Sequence, residues 1–413
     1  MNTKVLVLIV TWLLHVTNGL AQPGCTDPQA NNYNSAATIN DGSCTYNATT
    51  LPYYTKTPLA TPLLDESSGI EKAKNKIWTF NDSGGGNKLY RLDTVTGAVV
   101  QTITVTNATN VDWEDMAVST KHIYIGDIGN NNGSRTNLRV YKIPLSKIKD
   151  TTTVVTASII NYVYEDQTDF TSKPDNNNYD CEALVFYNDS LHLFSKNWVD
   201  KQTKHYVLSA IPGNRVAKIR ETLNAGYLIT GADISAKSVL TLIGYDNTGI
   251  APVSMWMCFD FRNGFFFNGN KRKFNVDNAL SMGQVEAVQI NDNGAGYITN
   301  ERFTQFIFNV PPRLYGYSLK PYLPSVYTRE VIQAPTPACT ITVTQAGDIL
   351  YFENASCLNA NATIEIYNRL GQMILYKQIS ANTPVAIPSS DVLLFYAIKN
   401  AGSVQTGKII LLN

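Results

Sequence analysis

A repeated unit of short apolar strands, from about residue 63 to residue 327, constrains the fold of this chain more than any other feature. Aligning the first apolar residue of each unit gives five anchors, separated by 46, 68, 50 and 54 residues: Ile70, Met116, Leu184, Ile234 and Val288. Each anchor opens one strand pattern, and two further strand patterns follow it. A fourth pattern is visible in three units, at Val99–Val105, Ile159–Tyr164 and Phe265–Phe267. Four antiparallel strands per unit at this period indicate a β-propeller.

The predicted fold class is therefore all-β, a β-propeller with five blades counted and six possible, followed by a small C-terminal β-sandwich. The insert Gln167–Tyr179 in the longest interval is too short to be a blade, and Tyr53–Leu64 offers an outer strand that would close the ring. A pair of β-sandwiches is the alternative, which the regular period disfavours. The low charged fraction of 16% and the 23 tyrosines are typical of a β-rich extracellular protein.

The first residues of the chain predict export. Residues 1–21 have the order of a secretory signal peptide, with Lys4, the apolar run Val5–Leu14 and the small-residue site Gly19-Leu20-Ala21. A buried first strand is the alternative. This run is too short to cross a bilayer and no later stretch reaches that length, so no transmembrane segment is expected.

The six cysteines would then lie in an oxidising compartment, where local pairs form disulfides. Cys25 with Cys44, and Cys339 with Cys357, each bracket a short segment, which predicts two disulfides. Buried thiols are expected from the other two, which lie in apolar strands: Cys181 and Cys258.

Residues 24–46, GCTDPQANNYNSAATINDGSCTY, form a Cys-bracketed module rich in Asp and Asn. Its side chains are hard oxygen donors of the kind that Ca²⁺ favours, and a set of Asx turns stapled by one disulfide is the alternative. The module resembles a short repeat common in exported proteins of the Bacteroidetes, from which Ser35 and Asn40 depart. A Thr- and Pro-rich linker is predicted at residues 47–62, before a propeller at residues 63–334.

A second linker, Pro335–Pro337, precedes a separate β domain predicted at residues 338–413. The run ATIEIYNRLGQMILYKQI and the terminal GKIILLN resemble the C-terminal sorting domain of type IX secretion cargo, with the turn Asn368–Gly371 as the most diagnostic piece. This resemblance implies that the type IX machinery is a partner and that the protein is secreted or held on the outer cell surface. An adhesive β-sandwich with no sorting role is the alternative.

Acidic residues recur where the first strand of each predicted blade begins, at the mouth of the central channel. Carboxylates facing one axis repel each other unless they are hydrated, protonated or neutralised by a cation, and oxygen ligands suit Ca²⁺. The alternative is structural, since such acids can instead accept hydrogen bonds from backbone N–H groups of the next blade. The predicted metal ligands are Glu114, Asp115, Glu182, Asp233 and Glu286.

The second strands of the units end on the same face, which adds candidate ligand-binding residues: Asp82, Asp127, Asn131, Lys196 and Arg302. Lys196 and Arg302 are the central cations that would hold an anion, Arg302 through its planar bidentate fork. Three tryptophans lie near these strand ends and could stack on a sugar ring, with packing between blades as the alternative: Trp78, Trp113 and Trp198.

Several functions are disfavoured by the sequence. Lys+Arg and Asp+Glu both number 33, and no basic–aromatic pattern suggests nucleic acid. The mature chain has only three histidines, without metal-ligand spacing, and it has neither a nucleophile elbow nor a P-loop.

The predicted function is binding of a metal or of a polar ligand, such as a glycan or a small molecule, through one acidic face. Two alternatives stay open, a purely adhesive role and a Ca²⁺-dependent hydrolase of phosphoesters or lactones. The propeller faintly resembles secreted phytase-like and esterase-like families, which implies that Glu114, Glu182 or Glu286 would act as ligand or base. No catalytic residue is assigned from the sequence.

Overall fold

A computed structural model describes residues 22–305, 307–324, 327, 342–346, 348–353, 362–380, 384–388, 393–400 and 403–411. The predicted signal peptide at residues 1–21, the linker Pro335–Pro337 and the second predicted disulfide, Cys339–Cys357, lie outside these residues. The chain divides into two compact units, residues 1–329 and residues 330–413.

Five antiparallel four-stranded blades form a ring in the first unit, which is a five-bladed β-propeller. The first strand of each blade is innermost, and these inner strands contact one another in chain order, the fifth contacting the first. Because the ring closes on itself, it has no place for a sixth blade. From the axis outward the strands are, in blade one, Ser67–Ala73, Lys76–Asn81, Lys88–Leu92 and Val99–Val105; in blade two, Trp113–Val118, His122–Asp127, Arg139–Pro144 and Ser158–Tyr164; in blade three, Cys181–Tyr187, Ser190–Ser195, Thr203–Ser209 and Gly213–Leu223; in blade four, Leu228–Ile234, Leu240–Tyr245, Pro252–Phe259 and Asn270–Asn278; and in blade five, Gln284–Ile290, Ala295–Glu301, Arg313–Ser318 and Tyr53–Pro58.

The outer strand of blade five comes from the N-terminal side of the chain, as the sequence predicts. Tyr53–Pro58 pairs antiparallel with Arg313–Ser318 and so joins the two ends of the ring. Thr49–Thr50 pairs parallel with the outer strand of blade four. The segment predicted as a linker at residues 47–62 therefore carries strands of two blades.

Two outer strands differ from the prediction. Phe265–Phe267 is not a strand, since Phe265 makes only an isolated bridge with Arg262, and the outer strand of blade four follows it at Asn270–Asn278. Gly213–Leu223 carries alternating charged residues on an exposed strand and so has no apolar run for the sequence to reveal. It pairs parallel with the outer strand of blade two, joining blades two and three into one sheet.

Tightly packed aromatic side chains fill the space between blades one and two. Trp113 is fully buried, with its ring 5.4 Å from that of Phe80 and 5.9 Å from that of Tyr141, and Trp78 belongs to the same core. For these two tryptophans the structure corresponds to packing between blades and not to a sugar-binding surface.

The N-terminal module has the predicted Cys25–Cys44 disulfide, and Cys181 and Cys258 are buried thiols, also as predicted. Its polar oxygens accept hydrogen bonds from the module's own amides, as Asn40 Oδ1 does from the Gly42 N–H at 3.0 Å. These Asx turns engage oxygens that a Ca²⁺ ion would need. Disulfides persist in oxidising compartments, so the bridge indicates a location outside the cytoplasm.

The second unit contains two small sheets that share one core. Hydrogen bonds from Leu370 and Gln372 N–H to Asn368 Oδ1, both 3.0 Å, shape the hairpin turn, and Gly371 has a left-handed φ of +77°. The strands are Thr342–Ala346, Ile349–Glu353 and Val385–Ala386 in one sheet, and Met373–Gln378, Thr363–Tyr367, Leu393–Asn400 and Ser403–Ile410 in the other.

Short elements complete the described part of the chain. They are the strands Pro23–Gly24, Ile39–Asn40 and Val154–Val155, the hairpin Phe303–Gln305 with Phe308–Val310, the α-helix Ala279–Met282, and the 3₁₀ turns Leu145–Lys147 and Lys320–Tyr322. Among the described residues, no helix has the length and apolar character needed to cross a membrane.

Candidate metal centre

One extra residue in each inner strand decides which side chains meet at the channel mouth. In every blade, the pairing of the first two strands shifts at the same point, which makes a β-bulge. Bulges turn a side chain out of the regular alternation and are common beside functional sites. The five bulged residues, in blade order, are Ser68, Glu114, Glu182, Thr230 and Glu286.

The predicted position of Asp233 in this ring needs correction. Ala232 pairs with Leu242 as Met116 pairs with Ile125, so the anchor of blade four is Ala232 and its bulged residue is Thr230. Asp233 lies farther along the strand, where its carboxylate accepts hydrogen bonds from Ile234 and Ile290 N–H, both at 2.6 Å. The sequence alignment took Ile234 as the anchor of this strand, two residues beyond the position that the bulge defines.

Asp115 is buried beside the ring but has a structural role. Its Oδ2 accepts hydrogen bonds from Leu184 N–H at 2.9 Å and Ala232 N–H at 3.2 Å, and its Oδ1 accepts one from Met116 N–H at 2.8 Å. One carboxylate therefore ties blades two, three and four together at the axis. These contacts correspond to the structural alternative for the acidic residues and not to a metal ligand.

Three carboxyl groups at the channel mouth are close enough to share one cation. Single oxygen atoms of Asp82, Asp112 and Glu114 all lie within 4.8 Å of one another. The approach is possible because residue 129 is glycine, since a Cβ atom there would lie 2.1 Å from Glu114 Oε1 and 2.5 Å from Asp112 Oδ2. The Glu114 side chain is buried, and no donor in the described part of the chain hydrogen-bonds its carboxylate.

Asp112 and Asp180 were missed by the sequence reasoning. Each stands two residues before a bulged glutamate, so the repeated spacing Asp-x-Glu was the signal that could have found them. Asp180 accepts hydrogen bonds from Asn130 N–H at 2.6 Å and Trp198 Nε1 at 2.8 Å. Its charge is thus held by donors, while Asp112 faces Asp82 and Glu114 and has Arg135 Nη1 4.0 Å from its Oδ2.

Burial makes these carboxyl groups hold their protons more tightly. It raises the pKa of Asp82 to about 6, and burial together with Asp82 and Asp180 raises that of Asp112 to about 7. Burial also raises the pKa of Glu286 to about 7, against the opposing charge of Lys196. The pKa of Glu114 lies well above its ordinary value because of burial and then of Asp82 and Glu182. The ionised forms of these carboxyl groups are therefore unfavourable unless a cation neutralises them.

Lys196 is at this mouth but is engaged with an acid. Its Nζ lies 2.6 and 2.7 Å from the two oxygens of Glu182, and 4.8 Å from the ring centre of Trp198. Burial opposes the charged form of Lys196, but Glu182 together with Tyr245, Glu286 and Asp180 outweighs it, so the Lys196 pKa is raised. The ion pair leaves Lys196 oriented toward Glu182 and not toward an incoming anion.

The remaining predicted ligand-binding residues surround the centre or lie apart from it. Arg302 forms a bidentate pair with Asp65, at 2.9 and 3.0 Å. Asp127 is buried behind the mouth, where it pairs with Arg135 at 2.7 Å and accepts from Asp112 N–H at 3.2 Å. The backbone carbonyl oxygen of Asn131 accepts hydrogen bonds from the insert that follows blade two. The structure thus brings Asp82 and Lys196 to the centre, and not Asp127, Asn131 or Arg302.

Two histidines that are distant in the sequence meet in the interior of blade three. His192 Nδ1 lies 2.7 Å from His205 Nε2, and His205 Nδ1 lies 2.9 Å from Glu221 Oε1. His192 Nε2 lies 3.1 Å from the Tyr187 carbonyl oxygen, to which it must donate. Burial lowers the pKa of both histidines to about 3. All four ring nitrogens of the two histidines are used in this chain of hydrogen bonds.

Comparisons with known proteins give similarity to solved structures only. No protein-family model matches the chain. No curated protein matches it either. An aldose sugar dehydrogenase from Streptomyces coelicolor aligns with 65% of this chain and 98% of its own, at 9% identity and a TM-score of 0.38. The periplasmic gluconolactonase of Pseudomonas aeruginosa aligns with 81% of this chain and 96% of its own, at 9% identity and a TM-score of 0.30. For a Bombyx mori β-fructofuranosidase the shares are 87% and 81%, at 11% identity and a TM-score of 0.38.

Proposed function

We propose that the propeller binds a divalent cation at the mouth of its channel. The observation that carries the proposal is the group of Asp82, Asp112 and Glu114, whose oxygens approach within 4.8 Å, while no donor among the described residues hydrogen-bonds the buried Glu114 carboxylate. A buried carboxylate without a partner is costly, and a cation would supply that partner. Because the donors are all oxygen atoms, Ca²⁺ is the expected ion. Glu182 and Glu286, on neighbouring blades, would complete the negative surroundings.

The test is the metal content and melting temperature of the purified protein, in Ca²⁺ and in chelator. We expect bound Ca²⁺ and a higher melting temperature with the ion, both reduced in Glu114→Gln and in Asp112→Asn. Glu165→Gln is the matched control, because Glu165 pairs with Lys218 outside the channel. Absence of bound metal together with an unchanged melting temperature would overturn the proposal.

A Ca²⁺-dependent hydrolase of phosphoesters or lactones is a second candidate. The favouring observation is that Asp112 and Glu286 have pKa values near 7, which suit proton transfer at neutral pH. When bound, the cation would polarise a substrate oxygen and make a water more acidic. In the chain itself, Glu286 would exchange a proton with substrate or water, held in place by the hydrogen bond that Gln284 Nε2 donates to Oε1 at 2.7 Å.

Hydrolysis is tested with p-nitrophenyl phosphate and a sugar lactone, in Ca²⁺ and in chelator. Turnover that needs Ca²⁺ and is lost in Glu286→Gln, while bound Ca²⁺ is kept, would establish the enzyme. Bound Ca²⁺ without turnover on either class would leave a binding protein, whose polar ligand would contact the cation.

We also propose that the second unit directs export through the type IX secretion machinery to the cell surface or medium. The resemblance of its strands and of the turn Asn368–Gly371 supports this, as does its separation from the propeller as a compact unit. Deleting residues 338–413 should leave the protein in the periplasm, measured by immunodetection in cell fractions. A truncated protein that still reached the surface would overturn the proposal. Deleting the N-terminal module, residues 22–46, is the control and should leave export intact.

A further inference from the structure

A second layer of side chains lies three residues beyond the bulges on the five inner strands. One residue comes from each inner strand, and none is more than 7% exposed: Glu71, Ala117, Val185, Asp233 and Gln289. At the rise of an extended strand, about 3.3 Å per residue, this layer lies about 10 Å along the channel from the bulged ring. It therefore belongs to the other mouth of the propeller, which we call the lower mouth. The upper mouth is the one that carries the bulged residues.

The layer is polar on one side only. Blades two and three contribute Ala117 and Val185, whereas blades four, five and one contribute Asp233, Gln289 and Glu71. Small apolar side chains at two equivalent positions show that the layer can be built without acids. Three buried polar groups in neighbouring blades are therefore a feature that the propeller architecture does not require.

The two acids face each other although their blades are not neighbours, and without a cation they can hydrogen-bond only when Glu71 carries a proton and donates it to Asp233. Asp233 also accepts hydrogen bonds from Ile234 and Ile290 N–H, and Glu71 accepts one from Lys72 N–H at 2.9 Å. Both carboxyl groups are thereby fixed in position, with oxygen atoms directed to the same space.

Gln289 supplies an independent sign of a missing ligand. It is 2% exposed, and its Oε1 atom has no hydrogen-bond partner within the described part of the chain. An unpaired buried amide oxygen is unfavourable, because it has given up its hydrogen bonds to water. Glu71, Asp233 and Gln289 line one cavity of about 580 Å³, together with Asn291 and Asp292, whose Oδ1 atoms accept hydrogen bonds from Lys72 Nζ at 3.0 Å and from Ala236 N–H at 2.8 Å.

We propose that this lower mouth binds a second divalent cation, a partly hydrated Mg²⁺, through Glu71, Asp233 and Gln289 Oε1. The donors are oxygen atoms, which select hard cations over transition metals. Mg²⁺ commonly keeps several waters and takes only one or two carboxylates from the protein, and the cavity has room for those waters. The cation would give Gln289 Oε1 its partner and would neutralise the acids.

The test is calorimetric titration of the chelator-treated, full-length protein with Mg²⁺. We expect one Mg²⁺ site whose affinity falls about tenfold or more in Gln289→Met and in Glu71→Gln. Gln289→Met keeps the side-chain length and puts an apolar group where other blades carry Ala and Val, so it should fold. Glu286→Gln at the upper mouth is the control and should keep the site.

Two results would overturn the proposal: unchanged Mg²⁺ affinity in both lower-mouth variants, or no Mg²⁺ binding by the wild-type protein. This design tests the upper Ca²⁺ site and the lower Mg²⁺ site independently of each other. Loss of Ca²⁺ in Glu114→Gln with Mg²⁺ retained supports two sites. Mg²⁺ binding that is lost in Gln289→Met, in a protein with no Ca²⁺ site, would reject the proposed function and keep this inference.

Discussion

At the scale of single residues, the partners of each buried acid separate scaffold from site. Asp115 accepts backbone N–H donors from two other blades, so it stabilises the ring. The Glu182 carboxylate forms an ion pair with Lys196. Glu114 alone among the ring glutamates has neither a donor nor a cation within the described residues, which is why the metal proposal centres on it. The identity of the residue types could be read from the sequence, but their partners could not.

Removing only one partner of the Glu182–Lys196 pair should destabilise the folded protein. Lys196→Met would leave a buried carboxylate unpaired, and we expect the free energy of unfolding to fall by about 3–5 kcal/mol. Adding Glu182→Leu should restore most of that loss, because no isolated charge remains. Urea denaturation of both single variants and of the double variant measures the coupling. A loss under about 1 kcal/mol in Lys196→Met would mean that the pair behaves as an exposed one.

One proton must be shared between His205 and Glu221 in the hydrogen-bonded chain that begins at His192. His192 donates to the Tyr187 carbonyl and so accepts from His205, which leaves His205 Nδ1 facing Glu221 with a single proton to share. Burial raises the pKa of Glu221 to about 7, above its unfolded value, so stability is lost as pH rises toward that value. Glu221→Gln keeps a donor at every pH.

We therefore expect Glu221→Gln to gain in free energy of unfolding, relative to wild type, as the pH rises from about 5 to about 8. Urea denaturation across that range measures the difference. A difference that does not change with pH would show that no proton is held there.

At the scale of elements, apolar periodicity was enough to predict most inner strands but not their registers. Cys181–Tyr187 was found because it contains a short apolar run bounded by turn residues, which indicates a buried strand. The bulge in each inner strand adds a residue without changing that run, so Asp233 was placed in the wrong layer. The outer strand Gly213–Leu223 was missed because its exposed faces are charged.

The strand Tyr53–Pro58 should be required for a closed ring. Without it, Arg313–Ser318 becomes an unpaired edge, and the strand pairing that joins the two ends of the ring is lost. We expect a protein that starts at residue 63 to lose cooperative thermal unfolding and resist trypsin poorly. A protein that starts at residue 47 keeps the strand and is the control. If both melted alike, closure would depend on the inner strands alone.

At the scale of the whole molecule, the order of the parts was predictable and the metal centre was only partly so. Blade count and the all-β class follow from a repeat that a single sequence displays. The centre, in contrast, combines Asp82 from blade one with Asp112 and Glu114 from blade two, and a glycine at position 129 that admits them. Distances across blades are set by the radius of the ring, which no local pattern encodes.

The stability of the whole propeller should depend on pH and on Ca²⁺ together. Asp82, Asp112 and Glu286 have pKa values of about 6, 7 and 7, above those of unfolded carboxyl groups, so the folded protein holds protons that the unfolded chain has released. Stability without metal therefore falls as the pH rises from about 4 to about 7. Above that range the groups are ionised and can bind the cation, so the stabilisation by Ca²⁺ should grow with pH. Melting temperatures at about pH 5 and about pH 8, in Ca²⁺ and in chelator, measure both trends. Glu286→Gln should flatten the decline in chelator, because it removes one of the three titrating groups. An increment from Ca²⁺ that is equal at both pH values would show that these carboxyl groups do not bind the ion.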